Sequence, residues 1–441
     1  MYSNLPKVLH QIGGKPLLAH VIDCAKQLKA SAIHVVYGHG GDTVPASFAG
    51  ETINWVLQAQ QLGTGHAVAQ PMAHIEEASL VLVLYGDVPL IESATLQQLV
   101  SLAGTTKLAL LTAFFDDPGA YGRIVRDTSD KVVRIVEKKD ASPQELAIKE
   151  INTGFLAAPA SLLRSWLAKL DNDNAQGEYY LTDVIAMAVA DGVEVVTSQP
   201  GSLAEITGIN NKSELADMER TYQNKQARKL MEQGVTLRDP ARFDVRGNVT
   251  IGRDVTIDVN VILEGDVVIG DNVSIGPNTV INNSIIGDGS VVLANCVIED
   301  AKIGRHCTVG PFARLRPETH LSDEAKVGNF VEIKKSEIGK GSKVNHLSYV
   351  GDSTLGQNVN IGAGTITCNY DGVNKHRTVI GDNAFIGSDT QLVAPVTVGE
   401  GATIGAGTTL VNDAPAGQLT LSRVKQKTID GWQRPVKKKK D

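Results

Sequence analysis

The stretch IGRDVTIDVNVILEGDVVIGDNVSIGPNTVI, residues 251–281, decides the fold of the C-terminal half. Ile251, Ile257, Leu263, Ile269, Ile275 and Ile281 recur every six residues. Val255, Val261, Val267, Val273 and Thr279 each follow a lead position by four. A small or acidic residue comes directly after the lead: Gly252, Asp258, Glu264, Gly270, Gly276. The frame shifts and then resumes at Ile303-Gly304, Val309-Gly310, Val327-Gly328, Leu355-Gly356, Ile361-Gly362, Ile380-Gly381, Ile386-Gly387, Val398-Gly399 and Ile404-Gly405. A period of six fits neither a single amphipathic helix nor a short alternating strand. It predicts a parallel β-helix whose aliphatic lead residues point inward and stack coil on coil. The small residue after each lead is expected to turn the corner, where glycine tolerates positive φ. A β-sandwich does not keep so strict a count.

The repeat resembles that of the hexapeptide acyltransferases. In that family the β-helix is left-handed, and three hexads, about 18 residues, close one triangular coil.

The chain has 441 residues, which predicts more than one domain. Hydrophobic content of 42% and charged content of 21% are those of a soluble globular protein. Aromatics are scarce at 5% and glycines number 43, as a β-helix of aliphatic ladders and tight corners requires. The net charge of −7 argues against a general nucleic-acid binder. No apolar run is long enough for a membrane-spanning helix, and no signal peptide is evident, so a cytoplasmic protein without integral membrane association is expected. Cys24, Cys296, Cys307 and Cys368 lack metal-binding or redox spacing and read as reduced thiols. The terminal Lys437-Lys438-Lys439-Lys440-Asp441 reads as a solvated basic tail.

Residues 1–211 read as an α/β domain. The runs Ile33-His34-Val35-Val36 and Leu80-Val81-Leu82-Val83-Leu84 look like buried parallel strands. Helical stretches, Leu17 to Leu28 and Ala94 to Leu102, lie between such runs and predict a doubly wound, Rossmann-like sheet. Ligands of these sheets bind beyond the carboxyl ends of the strands. That rule selects Tyr85-Gly86-Asp87, where an acid would hold Mg²⁺ against phosphate oxygens. Gln61-Leu62-Gly63-Thr64-Gly65-His66 offers backbone N–H groups to a ligand. Lys7, beside Pro6, is suited to a phosphate. A turn aspartate, an ordinary loop and a surface lysine are the plain structural readings of the same residues. Residues 212–233 read as a linking helix, with Asn211 and Glu214 as a capping pair and Gly234 as the stop. Residues 234–441 are the β-helix domain and its tail.

These stretches, with Gly119-Ala120-Tyr121-Gly122-Arg123-Ile124, Ile135-Val136-Glu137, Glu150-Ile151-Asn152-Thr153-Gly154, Asn174-Ala175-Gln176-Gly177-Glu178-Tyr179-Tyr180 and Gly208-Ile209-Asn210-Asn211, resemble the sugar-phosphate nucleotidyltransferases. Joined to the β-helix, the resemblance narrows. It is to the bacterial bifunctional glucosamine-1-phosphate N-acetyltransferase and N-acetylglucosamine-1-phosphate uridylyltransferase family, over nearly the whole chain. It implies acetyl transfer from acetyl-CoA to glucosamine-1-phosphate. UMP transfer from UTP to N-acetylglucosamine-1-phosphate then releases pyrophosphate and makes a precursor of peptidoglycan and lipopolysaccharide. At the first site it implies Mg²⁺ on Asp87 and Asn210 and phosphate on Lys7. Gln58, Gly63 and Thr64 would take the uracil side, and Tyr85, Gly86, Gly122, Glu137 and Asn152 the sugar nucleotide. In that family a strand and a loop of the Gly-x-Gly-Thr-Arg type lead into this motif. This sequence opens at Met1-Tyr2-Ser3, so the expectation is weak or absent uridylyl transfer beside full acetyl transfer, with exposed strand edges in the first domain.

Two stretches are expected to interrupt the hexads, Arg314 to about Ala325 and Thr367 to Thr378. Between them lies His346, suited to take a proton from an amine. Glu332 is the candidate to orient it, and Arg316 and Lys334 supply charge for a sugar phosphate. A lone histidine is more often structural; the family resemblance implies a base here. It also implies Tyr349 and Asn360 on the sugar phosphate, and Ala363, Asn369, Tyr370, Ser388, Ala406 and Arg423 on acetyl-CoA. It further implies a homotrimer. A zinc site is disfavoured, because His306, His320, His346 and His376 share no ligand motif. The alternatives are an acetyltransferase alone, or a nucleotidyltransferase with a non-catalytic β-helix. The second has no use for His346 with Tyr349 or for the Asn369-Tyr370 loop.

Overall fold

The computed structural model describes residues 1–38 and 40–437; the lysines and aspartate at 438–441 of the basic tail lie outside the described residues. The chain divides into two compact units, Met1–Tyr222 and Gln223–Asp441.

The first unit is built on one long strand, Glu150–Pro159. Leu108–Phe114 pairs along it antiparallel, and Val195–Ser198 adds parallel to Leu108–Phe114. On the other edge, Leu80–Val83 pairs antiparallel with its far end, Val83 opposite Leu156 and Leu80 opposite Pro159. The hairpin Arg123–Arg126 with Val132–Val136 meets its near end at Ile151. The edge thus splits at Asn152–Gly154, and the turn after Leu80–Val83 opens into the gap. His34–Tyr37 pairs in parallel with Asn54–Leu57 as a separate two-stranded sheet. The expected all-parallel sheet is therefore mixed. An apolar run does not report strand direction, and the two runs read as buried, His34–Tyr37 and Leu80–Val83, are only half-buried. Helices Leu17–Gln27 and Ser93–Ala103 bury Leu17, Val21, Leu96 and Leu99.

Helix Lys212–Glu232 begins as the capping pair requires. The Glu214 N–H donates to Asn211 Oδ1 at 2.9 Å, and Asn211 Nδ2 donates back to Glu214 Oε1 at 2.6 Å. Gly234, at φ +97°, follows its end.

The second unit is a left-handed parallel β-helix. Ile257, Ile275, Val292, Val309, Val327, Val344, Ile361, Ile386 and Ile404 are successive ladder partners, and all are buried. Each such side chain contributes roughly 1.5–3 kcal/mol of burial. Partners on adjacent coils lie 18 or 17 residues apart, as in Asn260 to Asn278 and Asn278 to Asn295. One coil is longer, with partners 25 apart at Asn358 and Asn383.

Two expectations are corrected here. The residues that turn the corners with positive φ are mostly asparagine and aspartate: Asp254, Asn260, Asn272, Asn278. These side chains tolerate the left-handed region and can bond locally. The glycines after the lead residues serve close approach instead. A Cβ on Gly276 would lie 2.8 Å from the Ala294 nitrogen of the next coil. Nor does Arg314 to Ala325 interrupt the helix. Leu315 pairs with Ile333 and Leu321 with Ile338, so this stretch is an ordinary coil. The extruded loop is the later one, closed by the Tyr370–Lys375 bridge.

Candidate functional sites

In the first unit the candidate residues form a continuous chain of contacts around the split sheet edge. The Lys7 ammonium lies 2.5 Å from Asp87 Oδ2 and 3.1 Å from Asn210 Oδ1. The Ile209 N–H donates to Asp87 O at 3.1 Å, which brings the Gly208–Asn211 segment against the turn. Gly154, at φ +90°, is required beside Tyr85, because a Cβ there would lie 2.5 Å from the ring. The Tyr85 hydroxyl is pushed up to about 12 by burial, then by Glu137 and Asp87, and stays protonated as a donor. Asn152 N–H donates to Gly122 O at 2.9 Å, and Asn152 Oδ1 accepts from Gly154 N–H at 3.1 Å. Gly122 faces Glu137: a Cβ would meet its carboxylate at 3.3 Å. Burial raises the Glu137 pKa, and a hydrogen bond from Thr182 Oγ1 at 3.2 Å partly offsets this.

The chain of contacts continues to the Gly63 loop. Leu181, next to Thr182, donates to Thr64 Oγ1 at 3.2 Å, and Gly65 N–H donates to Tyr179 O at 2.8 Å. Gly63 sits at φ +113° with no room for a Cβ against the Tyr179 backbone. Gln58 is buried, with Nε2 3.3 Å from Gly63 O and 2.9 Å from His66 Nδ1. The cluster therefore joins two carboxylates, a cation and a glycine loop.

Asp87 and Asn210 already hold a cation, the Lys7 ammonium, so their oxygens suit a divalent ion. Among the described residues no three His, Cys, Asp or Glu side chains form a metal cage. A cation here would complete its shell with phosphate oxygens and water, as Mg²⁺ commonly does.

In the second unit the candidate residues lie on two strips of adjacent coils. One strip holds His346, Ala363, Ser388 and Ala406. Asp389 N–H donates to Ala363 O at 2.7 Å and Gly407 N–H to Ser388 O at 2.8 Å, one coil per step. Arg423 ends this strip, its guanidinium 3.0 Å from where a Cβ on Gly405 would stand. The other strip holds Arg316, Glu332, Lys334 and Tyr349. Glu332 pairs with Tyr349 and Lys334 with Gly351 across the ladder. Asn369 Nδ2 lies 3.4 Å from the Tyr349 hydroxyl and donates to Asp352 Oδ2 at 2.5 Å, so the buried Asn369 joins the loop to this strip. Asn360 is the ladder partner of Lys343 on the strand carrying His346. Tyr370 is exposed, with the Lys375 ammonium 4.5 Å over its ring.

Glu332 is not bonded to His346. Its Oε1 accepts from Arg316 Nη1 at 2.7 Å, which raises the guanidinium pKa further. The group on the His346 ring is Asn329, whose Oδ1 lies 3.0 Å from Nδ1.

Family models match both halves of the chain. Residues 1–234 match the MobA-like NTP transferase domain, residues 245–327 the GMPPB C-terminal domain, and residues 377–412 the bacterial transferase hexapeptide. The bifunctional protein GlmU of Nitrosospira multiformis is 56% identical over 441 residues, covering 100% of this chain and 96% of that protein. Those of Janthinobacterium sp. (strain Marseille) and Cellvibrio japonicus are 58% and 57% identical, covering 100% and 99% of this chain and 97% of each relative. The chain belongs to the GlmU family. As a member of that family it is a bifunctional transferase, with a nucleotidyltransferase unit and a hexapeptide unit. Among the described residues no helix is long and apolar enough to cross a membrane. Sequence reasoning missed three contacts: Thr182 on Glu137, His66 on Gln58 and Asn329 on His346. Thr182 and Glu137 are 45 residues apart and Gln58 and His66 eight, with no periodic pattern linking either pair, whereas the Asn329–His346 spacing of one coil, 17 residues, gives a signal in advance.

Proposed function

We infer that the chain makes UDP-N-acetylglucosamine in two steps at two separate sites. The β-helix transfers the acetyl group of acetyl-CoA to glucosamine-1-phosphate. The first unit then transfers UMP from UTP to the N-acetylated sugar phosphate and releases pyrophosphate. The observation that carries this reading is full-length identity to bifunctional relatives, spanning both clusters of candidate residues.

At the acetyl-transfer site, Arg316 and Lys334 hold the sugar phosphate by charge, with Tyr349 and Asn360 adding hydrogen bonds. His346 Nε2 takes a proton from the glucosamine ammonium. The freed amine attacks the thioester carbonyl, the C–S bond breaks, and the second proton that the nitrogen sheds on becoming an amide goes to the departing sulfur, so coenzyme A leaves as the thiol. Ala363, Asn369, Tyr370, Ser388, Ala406 and Arg423 line the acetyl-CoA side. At the uridylyl-transfer site, Asp87 and Asn210 would hold Mg²⁺, which neutralises phosphate charge when bound. Lys7 binds phosphate; Gln58, Gly63 and Thr64 take the uracil. Tyr85, Gly86, Gly122, Glu137 and Asn152 hold and orient the sugar nucleotide. Positioning and charge neutralisation account for most of such catalysis.

The protein acts as a cytoplasmic homotrimer in this reading. An exposed apolar column supports association: Phe312 and Phe330 stack at 5.2 Å between centroids, with Leu347 on the next coil. All three take left-handed backbone conformations, costly for bulky residues and suited to a surface that packs against a second copy. The test is to assay each half-reaction separately on the purified chain and to measure its mass by sedimentation. Acetyl transfer without any uridylyl transfer would leave an acetyltransferase alone, and an active monomer would exclude the trimer.

A further inference from the structure

We propose that Asn329 is the positioning residue that fixes the tautomer of His346, and that Glu332 is not. The inference rests on the reading of His346 as the base of acetyl transfer. A neutral imidazole carries one N–H, so only one ring nitrogen has a lone pair to accept a proton. Asn329 Oδ1 lies 3.0 Å from His346 Nδ1, and a carbonyl oxygen only accepts. The contact therefore requires Nδ1 to carry the hydrogen. Nε2 is left with the lone pair that must receive the ammonium proton.

The scaffold makes this contact hard to avoid. Asn329 and His346 are direct ladder partners on adjacent coils. The Leu347 N–H donates to Asn329 O at 3.1 Å, just beyond the histidine. Gly328 lets the two coils approach, since a Cβ there would fall 2.0 Å from Asn345 O. Glu332 is engaged elsewhere. It is bonded to Arg316, and its partner across the ladder is Tyr349. The other titratable groups on the two strands are Lys326 and Lys343, paired with each other at the far end. A neutral amide in this position orients the ring without holding the proton that the ring must later release. A carboxylate would stabilise the imidazolium as well.

The test compares Asn329→Leu, Asn329→Asp and Glu332→Gln in acetyl transfer, with melting temperature as the folding control. Asn329→Leu should lower kcat about 10- to 100-fold with little change in KM, because the ring is no longer held in the productive tautomer. Asn329→Asp keeps an acceptor, so activity returns at alkaline pH while the acid limb of kcat/KM moves to higher pH. Glu332→Gln should leave that limb where it is. Nitrogen NMR of the labelled ring should show hydrogen on Nδ1 in the parent protein and a mixture in Asn329→Leu. A parent-like kcat and pH profile in a folded Asn329→Leu protein would overturn the proposal. So would an acid limb that moves in Glu332→Gln instead. Undiminished acetyl transfer by His346→Ala would refute the reading of the base itself, and the proposal with it.

Discussion

Lys7 and Asp87 form an ion pair at 2.5 Å, and the same ammonium reaches Asn210 at 3.1 Å. A lysine on the first motif of the chain thus neutralises the acid in the turn that follows Leu80–Val83. Lys7→Met should lower uridylyl transfer by about two orders of magnitude, because a phosphate would lose its fixed positive partner. Acetyl transfer should not change. Asp87→Asn should weaken Mn²⁺ binding followed by electron paramagnetic resonance; unchanged binding would place the metal elsewhere.

Gly154 stands at φ +90° with the Tyr85 ring where a side chain would go. Gly154→Ala should destabilise the first unit by about 2–4 kcal/mol, combining backbone strain with overpacking. Chemical denaturation followed by tryptophan fluorescence checks this. A loss under about 0.5 kcal/mol would mean the ring moves aside freely.

Burial raises the pKa of Glu137, so the folded protein holds that proton more tightly than the unfolded chain does. Stability from this group is present below the ordinary carboxylate value and is lost as pH rises through the raised folded value. At neutral pH the ionised group is a cost. Glu137→Gln should stabilise the unit by about 0.5–1 kcal/mol and still impair uridylyl transfer. Lower stability in this variant at neutral pH would contradict the sign.

Asp371 organises the extruded loop. Its carboxylate accepts from His376 Nε2 at 2.7 Å and from the N–H groups of Asn374 and Val373 at 2.6 and 2.8 Å. The His376 bond, then the backbone bonds, hold its pKa well below the usual carboxylate range. Its contribution is present above the ordinary carboxylate value and is lost only as pH falls through the depressed folded one. Asp371→Ala should speed amide exchange across residues 369–377 and raise the KM for acetyl-CoA several-fold. Parent-like exchange would show that the loop is held by other contacts.

The β-helix is legible because its core obeys a count: one aliphatic residue in six must point inward on every coil. Ile257, Ile275 and Val309 were bound to stack once the coil length was about 18. Corner chemistry is less legible, because glycine after a lead residue has two uses. At Gly276 the demand is close approach to the next coil, while positive φ falls to residues such as Asn278. Arg314 to Ala325 resembles an interruption only because charged residues occupy outward positions of a regular coil. In the first unit the element positions are readable, but strand direction is not. The apolar run Leu80–Val83 has the same composition whether it pairs parallel or, as found, antiparallel. The motif residues come together because they border one split edge, and no local pattern records that split. The partner of His346 shows the same limit. Charge favours Glu332, and ladder register selects Asn329.

The central claim is that one chain carries two chemically independent sites. The most direct measurement assays both half-reactions in parallel on the parent chain, His346→Ala and Asp87→Asn. His346→Ala should lose acetyl transfer by roughly 10²–10⁴-fold and keep the parent's uridylyl transfer. Asp87→Asn should show the reverse pattern. Loss of both activities in either folded variant, or near-normal acetyl transfer by His346→Ala, would contradict the account.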